Sequence, residues 1–451
     1  MAEPLGRLLL GDYTDPRYAA QTAKDRKAVR IRVERFSDPA EKARYQKDLI
    51  KAVHERHQMV AAAMKIRQVA NPHQTRLVQV EEDELLVRLA DSSALGRLEQ
   101  VGNDLEVEVR PVAGLENRVV RIRRKGGSTD LDEVGKSLAK DGFDVRYNHI
   151  TPLAVVAKGR GGPEPSPSPD PQSPTVESGR KDGPVVVAVI DTGIAALDHQ
   201  GEGGNWLVGV QPTEDNIDPL DVFPPIGTLD LAAGHGTFVA GLVRWVAPAA
   251  QIRMYRAVDS DGVGSEADVA EKMITAVEEG ADVLNLSLGI QTIDDQPPVA
   301  LDAALDWIQG NYPDVAVVAA AGNFGEEREC WPAADQRVIS VAGLTAEGTG
   351  ASWSSRGVWV TMSAIGEGVR STYVRGKESP IVDPEDPDPF GNNPWAVWTG
   401  SSFAAPQVAG AIARLCEGRE SLTPPAAAEI LRQSGPQLPL YGTALVLLPG
   451  T

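Results

Sequence analysis

Four near-continuous apolar runs in the second half of the chain limit its fold most: PVVVAVI at 184–190, IRMYRAV at 252–258, ADVLNLS at 281–287 and DVAVVAAAG at 314–322. A strand with one wet face alternates apolar and polar residues. A run without that alternation is buried on both faces, as the strands of a parallel sheet are. Helical periodicity fills the gaps, over 237–245, 266–279 and 299–308. Strands alternating with helices predict a doubly wound α/β domain with a mainly parallel sheet. Sites in such sheets lie beyond the carboxyl ends of the strands.

A Pro-, Ser- and Gly-rich stretch, GRGGPEPSPSPDPQSPTVESGRKD at 159–182, cannot supply a core and reads as an extended, solvated linker. It sets the α/β domain, 183–451, apart from an N-terminal part. There, residues 1–82 read as a helical extension. Its charged stretch from Pro39 to about Val69 carries apolar residues at Leu49, Val53, Val60 and Met64. Residues 83–158 read as a small α+β domain. ELLVRLAD, LEVEVRPV and NRVVRIRRK are strand-like, and STDLDEVGKSLAKDG is a helix with Asp130 and Glu133 as its capping pair and Gly142 as its stop. FDVRYNHITPLAVVA is a closing strand.

Composition narrows the function. The chain has 451 residues and a net charge of −19. Such an acidic surface repels phosphate backbones, which excludes nucleic acid as a partner. No stretch approaches the roughly 20 apolar residues of a membrane span. Leu8 to Leu10 is too short an apolar run for the core of a signal peptide. Two cysteines, Cys330 and Cys416, suit free thiols in a reducing compartment. These features predict a cytoplasmic protein that does not act at a membrane. The histidines outside the motifs below have no metal-ligand spacing, so no metal and no cofactor is expected.

Four short segments carry chemistry. VVVAVIDTGI ends a buried strand with Asp191, GHGTFVAG opens a helix with His235, AAAGN ends another strand with Asn323, and TGSSFAAPQVAG places Ser402 at a helix start. A serine hydroxyl is a poor nucleophile at neutral pH. It needs a base within hydrogen-bond reach, and the base needs an orienting group. His235 can serve as the base and Asp191 as the orienting group. Attack on an amide creates an oxyanion, to which the Asn323 side chain and the Ser402 backbone N–H can donate. The helix start at Ser402 adds a favourable partial charge.

The order Asp, His, Ser within these segments resembles the subtilisin-like (S8) serine peptidases, from about Gly183 to Gly435. The resemblance implies a subtilisin-like domain in which Asp191, His235 and Ser402 form the triad, and Asn323 with Ser402 forms the oxyanion hole. It implies a peptide or protein substrate paired along Gly262, Val263 and Gly264, with a P1 pocket walled by Ser287, Leu288 and Gly289 and bordered by Cys330. Phe403 stands where methionine is usual, and its bulk is expected to alter the adjacent pocket. Glu326, Glu327 and Glu329 lie just before Cys330 and predict basic or polar residues at P1. The helix after His235 lacks the loop that carries calcium in secreted relatives. The 83–158 unit is similar in order and position to the family's inhibitory propeptides, which implies an N-terminal intramolecular inhibitor. Two rival readings use the same residues: a catalytically silent peptide-binding protein, and an esterase or amidase. The Gly262–Gly264 segment favours a peptide.

Overall fold

In a computed structural model the described residues are 50–70, 77–91, 93–125, 129–151, 166–168, 183–200, 206–382, 387–419 and 421–448. The N-terminal part opens with helix α1 (50–59). Strands β1 (Ile66–Ala70) and β2 (Leu77–Arg88), helix α2 (Ala94–Asp104), β3 (Val107–Pro111), β4 (Val119–Arg124), α3 (Leu131–Lys140) and β5 (Asp144–His149) follow. The strands form one antiparallel sheet in the order β1-β2-β4-β3, with β5 also on β2. Alternation along β2 assigns its faces. Leu85 and Val87 join Leu98 of α2 and Leu131 and Leu138 of α3 in a core of their own. Glu84 and Leu86 point the other way, and both are fully buried.

Two sequence expectations change here. The helix expected to reach Val69 stops at 59, and residues 39–49 lie outside the described residues. Ile66 and Val69 belong to β1, which pairs with β2 over Ile66↔Glu81 to Ala70↔Leu77. Sheet pairing to a distant segment overrides the local helical pattern, so the α+β unit begins before residue 83. Helix α2 was not foreseen, because Gly96 and Gly102 interrupt its pattern; it buries Ala94, Leu98 and Gly102 at four-residue intervals. Helix α3 is capped as expected, with Asp130 accepting from the backbone N–H of Asp132 and Glu133.

The C-terminal part contains β7 (Val186–Asp191), α4 (His235–Val246), β8 (Gln251–Arg256), α5 (Glu266–Glu278), β9 (Val283–Leu286), α6 (Val299–Asn311), β10 (Ala316–Ala320), β11 (Ile339–Leu344), β12 (Met362–Ile365), β13 (Val369–Thr372), β14 (Gly376–Lys377), β15 (Pro389–Phe390), β16 (Trp395–Trp398), α7 (Ala405–Cys416), α8 (Pro424–Arg432), β17 (Gln437–Leu438) and β18 (Gly442–Leu445). Eight strands form a sheet in the order β17-β18-β12-β11-β10-β9-β7-β8, parallel throughout except for β17. All six residues of β7 are buried. Val187 and Val189 enter the core beneath α4, α7 and α8, while Val186, Ala188 and Ile190 enter the core beneath α5 and α6. That two-sided burial is why the runs read as unbroken apolar sequence. Within the expected linker, β6 (Ser166–Ser168) pairs antiparallel with Trp395–Val397 of β16, and the rest of 159–182 lies outside the described residues.

The candidate active site

The carboxyl ends of β7, β9 and β10 bring Asp191, Ser287 and Asn323 to one edge of the sheet, where α4 and the turn before α7 also begin. Asp191 Oδ1 lies 2.7 Å from His235 Nδ1, and neither side chain is exposed. A carboxylate in that place fixes the tautomer: Nδ1 carries the proton and Nε2 presents its lone pair to the site. Nε2 is buried without a hydrogen-bond partner. Gly236 allows the close approach that sets this pair, since a Cβ there would lie 2.2 Å from the Gly193 carbonyl oxygen.

Asp218 supports the same corner, and sequence reading missed it. It accepts from Thr192 Oγ1 at 2.8 Å and from the Gly234 N–H at 2.9 Å, while Thr192 Oγ1 accepts from the Gly236 N–H at 3.0 Å. The chain of bonds ties the end of β7 to the start of α4. Burial pushes the Asp218 carboxyl up to about 6. Its sequence setting, an ordinary Asp-Pro turn, carries no signal of this role.

Ser402 lies in a 3₁₀ turn, Ser401–Phe403, leading into α7 with Pro406 in the first turn. Its Oγ donates to the Ser287 carbonyl at 3.1 Å rather than to His235, and the residue has no exposed surface. Ser287 Oγ in turn donates to the Ser402 carbonyl at 2.8 Å, so the proposed P1 wall and the nucleophile turn are tied together. Asn323 is oriented by its oxygen: Oδ1 accepts from the Ser401 N–H at 2.9 Å, which leaves Nδ2 buried without a partner. A buried donor without an acceptor costs about 1–3 kcal/mol, and a bound oxyanion would relieve that cost.

The remaining expected site residues divide. Gly264 accepts from the Thr151 N–H at 2.8 Å, and Ile150 forms an antiparallel bridge with Ser265. Val263 is buried with Ile150 and Leu231, one residue after Gly262. Leu288 is part of the core beneath α5 and α6. Cys330 lies under the wall: a Cβ on Gly289 would come 2.6 Å from its Sγ, and one on Gly322, 3.0 Å. Burial pushes the Cys330 thiol up to about 12, so it is a space-filling thiol. Glu326, Glu327 and Glu329 are exposed, and Arg328 among them pairs with Asp295 at 2.7 Å.

Phe403 is fully buried and packs against Phe238 at 4.5 Å, Trp398 at 5.0 Å and the His235 ring at 5.3 Å between centroids. Phe238, in GHGTFVAG, is its missed partner. Trp398 and Phe403 thus form an apolar bed for the imidazole, and Phe238 packs against both of them.

Residues 182–442 match the model of the subtilase family, peptidase S8. The chain belongs to that family. It is 32% identical over 249 residues to a thermophilic serine proteinase of Bacillus sp. strain AK1, an alignment covering 52% of this chain and 53% of the relative. It is 30% identical to a thermostable alkaline protease of Halalkalibacterium halodurans, covering 58% and 65%. It is 28% identical to subtilisin BL of Lederbergia lenta, covering 58% and 88%. The subtilase thus spans between half and two thirds of the length of the first two relatives. Among its described residues no helix is long and apolar enough to cross a membrane.

Proposed function

We propose that this subtilase is a serine endopeptidase acting through Asp191, His235 and Ser402, and that its N-terminal part restrains it. The observation that carries the chemistry is the Asp191–His235 pair with its unpartnered Nε2, facing a site that also holds the unpartnered Nδ2 of Asn323. Rotation of Ser402 Oγ from the Ser287 carbonyl to His235 Nε2 would arm the nucleophile. His235 then takes the hydroxyl proton as Oγ bonds to the scissile carbonyl carbon. Asn323 Nδ2 and the Ser402 N–H donate to the oxyanion. His235 passes its proton to the leaving amine as the C–N bond breaks, leaving an acyl ester on Ser402. Water attacks that ester with His235 again as base, releasing the acid and free Ser402. The names of two relatives, a serine proteinase and an alkaline protease, agree with this reading.

Three observations support restraint. Asp191, His235 and Ser402 have no exposed surface, so a peptide bond cannot reach the nucleophile in this state. Thr151, at the end of the N-terminal unit, is bonded to Gly264, where the resemblance places substrate backbone. The N-terminal sheet lies on α5, with Arg121 donating to Asp268 and Glu271 at 2.8 Å each. We also infer an intracellular setting, because Cys330 and Cys416 are both buried and in no disulfide. A fluorophosphonate probe tests the proposal. It should label Ser402 slowly in the intact chain and faster once an added protease has nicked the chain between 152 and 182. No labelling under either condition would favour a silent peptide-binding protein instead.

A further inference from the structure

Helix α1 plants two side chains in a pocket of the catalytic part that no family motif covers. Arg56 is only 4% exposed. Its guanidinium enters a cleft between segment 222–231, which leads to His235, and Asp259–Asp261, which leads into Gly262–Gly264. Nε donates to Asp261 Oδ2 at 2.8 Å, Nη2 to Asp261 Oδ1 at 2.8 Å and to Asp230 Oδ1 at 2.7 Å, and Nη1 to the Pro224 carbonyl at 2.6 Å. The cation also lies 5.7 Å from the centroid of the Phe223 ring. This is the planar, bidentate match that suits guanidinium and that an ammonium cannot reproduce.

The pocket is built independently of Arg56. Asp230 accepts from the N–H groups of Val222 at 2.7 Å and Phe223 at 3.1 Å and from Ser260 Oγ at 2.6 Å; Asp261 accepts from the Leu231 N–H at 3.0 Å. These donors occupy lone pairs a metal ion would need. A second observation concerns His57, 1% exposed and stacked on Phe223. Its Nδ1 lies 3.0 Å from the Met64 carbonyl, which can only accept, so Nδ1 carries the proton. Nε2, buried without a hydrogen-bond partner, faces Asp259 at 3.3 Å and Asp261 at 4.0 Å. Burial lowers the ring's affinity for a second proton, so His57 brings no permanent charge to these carboxylates. Three carboxylates converge on the pocket, and α1 supplies one permanent cation. Burial raises the carboxyls of Asp230 and Asp259, as expected where positive charge falls short.

We infer that the Asp230–Asp261 pocket is a guanidinium-binding subsite of the substrate groove, filled in cis by Arg56, which takes the arginine side chain of an extended peptide once α1 is displaced. The inference rests on the peptidase reading above. The register places it. Ile150 bridges Ser265 and Thr151 bonds Gly264. A peptide continuing antiparallel from there comes abreast of Val263, then Gly262, then Asp261.

Chemical rescue in the full chain tests the pocket without requiring activity. Arg56→Ala should lower the melting temperature by several degrees. Millimolar methylguanidinium should restore at least half of the loss, whereas methylammonium or calcium chloride at equal ionic strength should not. Arg56→Gln serves if the alanine variant does not accumulate. Rescue by calcium alone, or no rescue by methylguanidinium, would overturn the guanidinium site. Peptide libraries then test the subsite. The nicked Arg56→Ala chain should cleave peptides with arginine at the position abreast of Gly262 or Asp261 at least about tenfold faster than those with citrulline, and Asp261→Asn should abolish that preference. Equal cleavage of the two would overturn the assignment to the groove. No cleavage by any form would overturn the peptidase reading, and the rescue result would still report on the pocket separately.

Discussion

Strand β7 of the catalytic sheet and strand β2 of the N-terminal sheet are both central and both buried, yet they face different neighbours. Every β7 side chain before Asp191 is apolar and enters one of two hydrophobic cores. On β2, one face is apolar, while the other presents Glu84 beside Leu86. Glu84 accepts from Arg121 at 2.9 Å, from Asn148 at 2.7 Å and from Arg123, and Arg121 reaches on to α5. Leu86, Val112, Leu115 and Val119 give this contact an apolar centre shared with α5 and α6. An interface whose rim is ionic can separate, because each charged group regains water on parting. A two-faced apolar sheet cannot come apart without unfolding. The difference fits the proposal that the catalytic body persists while the N-terminal unit is released.

The comparison predicts that changes at the edge of the catalytic sheet alter chemistry with little effect on docking. Ser402→Ala should lower turnover on the order of a millionfold, the scale known for triad serines in this family. Its melting temperature should stay within a degree or two, because Oγ makes one hydrogen bond, to Ser287. Substantial hydrolysis by the purified variant would remove the triad. Asn323→Ala should keep KM and lose roughly a hundred- to thousandfold in turnover, again the scale of oxyanion donors in this family. A rise in KM at unchanged turnover would mean that Nδ2 binds the ground state instead.

Changes on the ionic face should do the reverse. Arg121→Met leaves Glu84 buried with a weakened counter-charge and cuts the two Arg121 bonds to α5, while those of His149 to Glu266 and of Ala113 to Glu271 remain. Breaking a buried pair from one side costs about 3–5 kcal/mol. Fluorophosphonate labelling of the intact variant should accelerate, while the nicked enzyme turns over as before. Adding Glu84→Gln should recover stability without slowing the labelling. Labelling that stays as slow as in the parent chain would show that docking does not depend on the ionic rim.

How much of this was legible in the sequence follows from the same contrast. The β7 run and the motif residues at strand ends could be read because local pattern and local chemistry fix them. The α3 cap, Asp130, was equally local. Strand β1 reads as helix in the sequence because its reason for being a strand is β2, and two glycines hide α2. Asp218 could not be found, since nothing in an Asp-Pro turn reports that Thr192 and Gly234 will meet it. The Phe238–Phe403 packing joins residues that look unremarkable apart. Arg56 and Asp261 stand 205 positions apart, and no periodicity links them.

The smallest expected effect sharpens the comparison through pH. Among the carboxyls that burial lifts, one from each region can be compared: Asp218 rises to about 6, and Glu81 to about 8 with Glu84 adding to the rise. Both shifts are upward for an acid, so the folded state holds a proton that the unfolded chain has already released. Each contribution is complete below the unfolded value and is lost as pH rises through the folded one. For Asp218 the window runs from about 4 to about 6, and a shift of about two pK units corresponds to roughly 3 kcal/mol. For Glu81 the loss continues to about 8. The Asp218 contribution should therefore level off first as pH rises, while the Glu81 contribution goes on falling toward pH 8. Asp218→Asn should flatten the melting temperature between pH 4 and 6 only, and Glu81→Gln should flatten it between pH 6 and 8. Labelling of Ser402 in the intact chain, normalised to the nicked enzyme at each pH, should rise across the second window and not the first. If both variants flattened the same window, the two regions would be titrating as one unit, and the distinction between a persistent body and a releasable restraint would lose its electrostatic basis.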